Sequence, residues 1–481
     1  MFSRPKSTQS KKRKNGHVDY RSDIIGGSSI LPLFKGDAMI KPYFPEVSNK
    51  IQFEGKQSDN PLAFKYYDAD RVVAGKTMKA HLKFAVAFWH TMKGTGSDPF
   101  GGGVYDRSWN TPGSNLDVAR NTLDAAFEFF DKLTVPHWCF HDRDISPEGA
   151  SIVESANNLQ IMVDHAQALQ QASDCTLLWG TANLFSHPRY THGAATNPDP
   201  LVMAHAAAQV RHAIDATIQL NGQGYTFWGG REGYCSLINT NMQQEREQLA
   251  VFLHMAKDYA RAQGFKGALY IEPKPGEPMT HQYDYDAATV LGFLREFDLY
   301  DDFQLNIEAN HCTLAGHTFA HDLMLAASIG KLGSVDANAG AILGWDTDEY
   351  PTNLYENVWA LLIILKMGGF TTGGFNFDAK VRRGSFDTLD LFYGHISGMD
   401  TLAHALLIAD KIIQDGEMES WLQQRYAGYQ TQLGSKIMQG KATLLELEQW
   451  AISQAEPKMI SGRQELRESL FNQYIVANSV S

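Results

Sequence analysis

Between about residue 80 and residue 415, short apolar runs alternate with longer stretches whose apolar positions recur every three or four residues. The short runs are Leu82–Trp89, Trp138–His141, Thr176–Thr181, Tyr225–Trp228, Ala268–Glu272, Gln304–Glu308, Ser334–Asp336 and Phe375–Asp378. Their length and their β-branched and aromatic content predict eight strands. The helical stretches include Leu116–Leu133, Pro200–Leu220, Met242–Gln263, Tyr355–Met367 and, after the last strand, Leu389–Asp415. Asp199-Pro200 and Ser146-Pro147 each set a cap residue before a first-turn proline, which predicts helix starts at both places. Alternating strands and helices mean parallel strands joined by right-handed crossovers. Eight such units favour an α/β fold of the closed (β/α)8 TIM-barrel type over an open sheet. No G-x-G-x-x-G turn follows the first strand, which removes the main support for a dinucleotide-binding fold.

The pattern changes at both ends. Residues 1–23 are polar and basic, with Lys11, Lys12, Arg13 and Lys14 in succession, and are expected to be a solvated, disordered tail. Residues 24–80 lead into the barrel, and residues 81–415 form it. Residues 416–481 read as helices without strands, with Ser461-Gly462-Arg463-Gln464 as a capping box before Leu466–Ile475. A helical tail on a finished barrel has no core of its own. It is expected to pack on a neighbouring subunit, which implies a homo-oligomer.

Composition narrows the class. Hydrophobic residues make up 43%, aromatics 11% and charged residues 20%, enough to bury a large core and unlike a disordered or collagen-like chain. The formal charge of -12 repels phosphate backbones, so nucleic acid is not expected as a main partner. Cys139, Cys175, Cys235 and Cys312 show no C-x-x-C spacing and are expected to be reduced and buried, as in a cytoplasmic protein. The longest strongly apolar run, Val358–Leu365, is far short of the roughly 20 residues of a membrane span. No cleavable signal is expected, because the opening residues lack an apolar core.

The chemistry gathers where strands end, which in a barrel of this kind is where active sites are built. His141 and Asp144 follow Trp138-Cys139-Phe140, Glu272 and Lys274 follow Leu269-Tyr270-Ile271, and Glu308 and His311 follow Leu305-Asn306-Ile307. Asp336 follows Val335, Asp346 and Asp348 follow Gly344-Trp345, and Asp378 follows Phe377. One carboxylate at a strand end is ordinarily a loop side chain in solvent. Five or six at one mouth repel one another unless cations neutralise them. With a single imidazole they make an oxygen-rich set that suits Mg²⁺ or Mn²⁺ better than Zn²⁺.

These stretches also carry a resemblance. Phe88-Trp89-His90-Thr91, Asp98-Pro99-Phe100-Gly101, Cys139-Phe140-His141-Asp142 and Trp179-Gly180-Thr181-Ala182-Asn183 occur in order. Trp228-Gly229-Gly230-Arg231-Glu232-Gly233, Ile271-Glu272-Pro273-Lys274 and Asn306-Ile307-Glu308-Ala309-Asn310-His311 follow. Gly344-Trp345-Asp346-Thr347-Asp348 and Asn376-Phe377-Asp378-Ala379-Lys380 complete the set. From about Tyr43 onward the chain resembles the larger, N-terminally extended class of xylose isomerases.

The resemblance implies an aldose–ketose isomerase that interconverts D-xylose and D-xylulose, and also D-glucose and D-fructose. The reaction would be a metal-assisted 1,2-hydride shift after ring opening, with two divalent ions per subunit: Mg²⁺ first, Mn²⁺ or Co²⁺ as alternatives. It implies a first metal on Glu272, Glu308, Asp336 and Asp378. A second would share Glu308 and be held also by His311, Asp346 and Asp348. Lys274 would donate to the C1 oxygen, and His141 oriented by Asp144 would assist ring opening. Trp89, Phe185 and Trp228 would wall the sugar, with Thr181 also lining its site. Phe100 would reach into a neighbouring subunit's site in a tetramer. One stretch departs from the family pattern: after Asp336-Ala337-Asn338 the usual Arg-Gly-Asp is replaced by Ala339-Gly340-Ala341-Ile342, in the loop that carries Asp346 and Asp348. The competing readings are a metal-dependent hydrolase or endonuclease on a related barrel and a non-enzymatic sugar-binding barrel. The first would want more imidazoles and a basic groove. The second would have no need of Lys274 or the His141–Asp144 pair.

Overall fold

The computed structural model describes residues 42–341 and 344–480; the basic tail and the first part of the extension lie outside the described residues. Eight strands close a barrel in chain order: β1 Phe84–Ala87, β2 His137–His141, β3 Thr176–Thr181, β4 Gly224–Trp228, β5 Ala268–Glu272, β6 Phe303–Glu308, β7 Leu332–Asp336 and β8 Phe375–Phe377. Neighbours pair in parallel, and β8 closes on β1 through Phe375 to Phe84 and Phe377 to Val86. The outer ring is α1 Asn115–Leu133, α2 Ile152–Gln171, α3 Pro200–Gln219, α4 Met242–Ala262, α5 Ala287–Glu296, α6 Phe319–Ser328, α7 Leu354–Lys366 and α8 Thr388–Asp415. The expected barrel is the observed one.

The strands sort their side chains by alternation, because successive Cβ atoms point to opposite faces. Phe84, Val86, Leu305, Ile307, Phe375 and Phe377 join the large core between barrel and helices. Ala85, Ala87, Trp89, Cys139, Leu178 and Trp179 form a separate small cluster. The positions between the outward residues of β5–β8 are the polar ones: Tyr270 and Glu272, Asn306 and Glu308, Ser334 and Asp336, Asn376. The barrel therefore has an apolar jacket and a lumen that becomes acidic toward the C-terminal ends of β5 to β8.

Several expected boundaries shift. β1 ends at Ala87 because the chain turns helical over Phe88–Lys93, which carries Trp89 and His90. Ser146 does not start a helix; it ends the single turn Asp142–Ile145, its N–H donating to Asp142 O. α2 begins six residues later, where Ser151 Oγ accepts the Glu154 N–H at 3.1 Å. The loop between folds back instead of coiling, its Gly149 and Ala150 amides donating to Ser155 Oγ and to the Glu154 carboxylate. Ser461 likewise caps no helix: its Oγ accepts the Arg463 N–H, Arg463 has φ +50°, and the helix starts at Gln464. Cys235 is exposed, against expectation, while Cys139, Cys175 and Cys312 are buried; all four are free thiols. Asp346 and Asp348 are not at a barrel strand end but on an antiparallel hairpin, Ala339–Ala341 with Trp345–Glu349.

After α8 the chain runs through helices Glu417–Tyr426, Gln432–Met438, Leu444–Ile452 and Gln464–Val480. The last is fastened to the barrel by Phe471, which stacks on Trp359 at 4.7 Å. Between those anchors Leu444, Leu445, Ile452, Met459 and Ile460 are exposed. Among the described residues no helix is long and apolar enough to cross a membrane.

Candidate active site

The C-terminal ends of β5, β6 and β7 bring Glu272, Glu308 and Asp336 together, and the residue after β8 adds Asp378. One carboxylate oxygen from each of the four lies within 4.8 Å of the others. Glu308 also belongs to a second group with Asp346 and Asp348, and to a third with Glu272 and His311. His311 stands on the short helix Ala309–Leu314 that continues from β6, its Nδ1 3.1 Å from Glu308 Oε2. The residues expected to hold two cations are thus in one place, with Glu308 common to all three groups and His311 grouped with Glu272 rather than with Asp346 and Asp348.

Burial sets the electrostatics. Glu272 and Glu308 are 5% and 2% exposed, and desolvation, followed by neighbouring carboxylates, holds both well above the usual carboxylate range. Asp336 is pushed up to about 7 by burial and by Asp378. His311 moves the other way, to about 3, because burial and the Lys274 ammonium disfavour its charged form. It is a neutral imidazole whose Nδ1 finds no hydrogen-bond partner among the described residues. A buried neutral imidazole with an unclaimed nitrogen among mutually repelling carboxylates is a donor set that fits divalent cations.

A ring of amides holds the carboxylates apart. Asn306 Nδ2 donates to Glu272 at 3.0 Å and Asp336 at 2.7 Å, Asn376 to Asp336 at 2.8 Å, and Asn338 to Glu308 at 2.7 Å. His90 Nε2 lies 3.0 Å from Asp378 and 3.3 Å from Asp348, and Lys380 donates to Asp348 at 2.7 Å. Burial raises the Asp348 carboxyl, but His90 and Lys380 outweigh it and hold the group well below its ordinary value. Burial likewise opposes the charge on His90, yet Asp378 and Asp348 raise it to about 9. Sequence reasoning gave these residues no role, although the lumen asparagines could have been found. Asn306 and Asn376 lie two residues before Glu308 and Asp378, on the same face by the strand period.

Within the departing stretch, the retained glycine has a structural reason. Gly340, at the turnward part of the hairpin, lies so close to Asn310 that a Cβ there would overlap Asn310 Oδ1. That approach lets the Asn310 amide donate to Asp346, which also accepts from Lys274. Asp348 has φ +46°, a conformation that an L residue adopts at a cost, and it is fixed by Lys380 N–H donating to its carbonyl.

Opposite the acids, His141 Nδ1 lies 3.0 Å from Asp144 Oδ2. The His141 ring stacks on Trp89 at 4.1 Å and meets Phe185 edge-on, and Phe185 meets Trp228 at 4.5 Å. Trp89 Nε1 donates to Asp378 at 2.8 Å, which ties the aromatic wall to the acidic one. Between them is a cavity of about 270 Å³ that Thr181 and Lys274 also line. Phe100 is not among its lining residues: it is 80% exposed on a loop, beside the Trp345 ring.

A family model described as the XylA2 C-terminal domain matches residues 422–475. "Xylose isomerase 2" of Xanthomonas campestris pv. campestris (strain 8004) is 55% identical over 436 residues, covering 90% of this chain and 98% of that protein. "Xylose isomerase 1" of the same strain is 54% identical with the same coverage. Among solved structures, that of 3-keto-D-glucoside 4-epimerase from E. coli is 12% identical with a TM-score of 0.44, covering 67% of this chain and 98% of that one.

Proposed function

The chain belongs to the xylose isomerase family, and on that premise we propose that its barrel mouth interconverts D-xylose and D-xylulose, with D-glucose and D-fructose as a second pair. The observation that carries the chemistry is the sharing of Glu308 between two buried acidic groups. Glu272, Glu308, Asp336 and Asp378 would hold one divalent cation, and Glu308, His311, Asp346 and Asp348 the other. Mg²⁺ suits this oxygen-rich set, and Mn²⁺ or Co²⁺ fit it too. When bound, the cations supply Lewis acidity at the sugar oxygens and balance the negative charge that grows there.

The protein's own groups do the rest. The cyclic sugar opens when the C1 hydroxyl gives up its proton and the ring oxygen gains one, a transfer suited to His141, whose orientation Asp144 fixes. Lys274, 3% exposed and paired with Asp346, would donate to the C1 oxygen as the carbonyl becomes a hydroxyl. Hydrogen then passes with its electron pair from C2 to C1, O2 loses its proton and O1 gains one. The wall of Trp89, Phe185 and Trp228 covers the carbon skeleton and keeps water from the migrating hydrogen. Phe100, exposed on its loop, is suited to complete the site of a neighbouring subunit.

D-xylose carrying deuterium at C2, converted in ordinary water by the Mg²⁺-loaded protein, tests the proposal. Direct transfer leaves the deuterium on C1 of xylulose. Deuterium washed out to solvent would replace the hydride path by proton exchange, and no conversion at all would end the assignment.

A further inference from the structure

Behind the short helix Ala309–Leu314 there is a second metal-ligating group, separate from the carboxylates of the barrel mouth. His317 lies in the loop before α6, and His321 and Asp322 stand in the first turn of that helix. One donor atom from each of the three lies within 4.8 Å of the others. His317 Nδ1 is hydrogen-bonded to Asp322 Oδ2 at 3.1 Å, a separation also close to the roughly 3.3 Å between two ligands in a tetrahedral zinc site with bonds near 2.0 Å. The two imidazole rings meet nearly edge-on at 4.7 Å.

Asp322 is the unusual member. It is 2% exposed, and its Oδ1 has no hydrogen-bond partner among the described residues. Removing a carboxylate oxygen from water without a partner is costly, and a cation is one way to offset that cost. The surroundings fit the same end. Asp286 caps α5 with one oxygen, which accepts the Thr289 N–H at 2.7 Å, and turns the other toward His317 Nε2 at 3.9 Å. At that distance Asp286 is not hydrogen-bonded to the ring, but its negative charge favours a proton on Nε2 and so leaves Nδ1 the better ligand. His317 is partly and His321 largely open to solvent, so an ion has a way in.

We propose that His317, His321 and Asp322 bind a borderline transition-metal ion, Zn²⁺ by preference, in a site distinct from the acidic cluster at the barrel mouth. Two nitrogens and one carboxylate oxygen select such an ion over Mg²⁺, whereas the oxygen-rich cluster does the reverse. The bound ion joins the loop before α6 to the first turn of that helix. Asp322 also contacts Cys312 on Ala309–Leu314, one residue from His311.

Zn²⁺ titration of the full chain saturated with Mg²⁺ tests this, wild type against His321→Gln. His321 is exposed, so its replacement leaves the core alone. Any Zn²⁺ that displaces Mg²⁺ from the carboxylates does so equally in both proteins, so the difference counts only the outer site. The wild type should take up one more equivalent of Zn²⁺ than His321→Gln, or bind it at least about tenfold more tightly. Co²⁺ gives a second reading, because a tetrahedral ion absorbs visible light far more strongly than an octahedral one. That band should appear in the wild type and be lost in Asp322→Asn. Equal Zn²⁺ uptake and affinity in wild type and His321→Gln overturns the site. So does a cobalt band that survives Asp322→Asn. None of these outcomes depends on whether the barrel mouth isomerises sugars.

Discussion

Gly340→Ala adds a carbon where Asn310 Oδ1 now lies, so the Asn310 amide must turn away and Asp346 loses a donor. Partners behind a ligand commonly change metal affinity by about 10–100-fold, so calorimetric titration should show the second cation weakened by at least tenfold and the first nearly unchanged. Equal weakening of both would mean that the hairpin supports the whole cluster. Glu308→Gln should weaken both cations together, because the shared anion offsets the repulsion between them, while Asp348→Asn should weaken chiefly the second. Unchanged binding of two cations by Glu308→Gln would remove the bridge. The clustered carboxylates and His311 were legible in the sequence because a carboxylate or imidazole closing an apolar run is conspicuous, whereas the cations that pair with them, His90 and Lys380, were given no role. Of the amides between the carboxylates, Asn306 and Asn376 were within reach of the strand period, whereas Asn338 lies beyond β7, carries no charge and acts only through partners distant in the chain.

At the scale of elements, strands were read well where an apolar run and its pleat agree. They were read less well where a helix begins on the last strand residue, as at Phe88, because aromatic residues serve both. Helix starts failed at Ser146, whose N–H closes the turn before it while its hydroxyl caps nothing among the described residues, and at Ser461, whose hydroxyl takes up the Arg463 N–H instead of a helical one. The longest helix, α8, carries two connections that no local pattern announces. Asp400 accepts the backbone N–H groups of Lys65, Tyr66 and Tyr67 at 2.7–2.8 Å and so binds the segment before the barrel to its last helix. Asp400→Ala leaves three donors without partners and should cost about 2–4 kcal/mol in urea unfolding. A loss under 1 kcal/mol would show that water replaces the carboxylate. His395 on the same helix is fully buried, and desolvation depresses it to about 4. Its unfolded value of about 6.5 means that stability from keeping it neutral is present above pH ~6.5 and is lost as pH falls toward 4, on the order of 3 kcal/mol in all. His395→Phe should flatten that acid limb of the stability curve; an unchanged limb would assign it to other groups.

Over the whole molecule, the barrel was legible because eight repeats of one unit leave few other topologies. The tail was expected to pack on a neighbouring subunit, and its apolar residues Leu444, Leu445, Ile452, Met459 and Ile460 are exposed on this chain, as that expectation requires. A second copy is the occupant we propose, so removing residues 416–481 should lower the number of chains per particle measured by sedimentation. An unchanged number of chains would free the tail from that role. The central claim concerns the acidic cluster, which is buried and mutually repelling and which divalent cations would neutralise. The direct measurement is the rate of xylulose formation from D-xylose by chelator-treated protein back-titrated with Mg²⁺. The rate should be near zero without metal and should return as Mg²⁺ is restored, saturating at two ions per chain. Full turnover in the metal-free protein would contradict it.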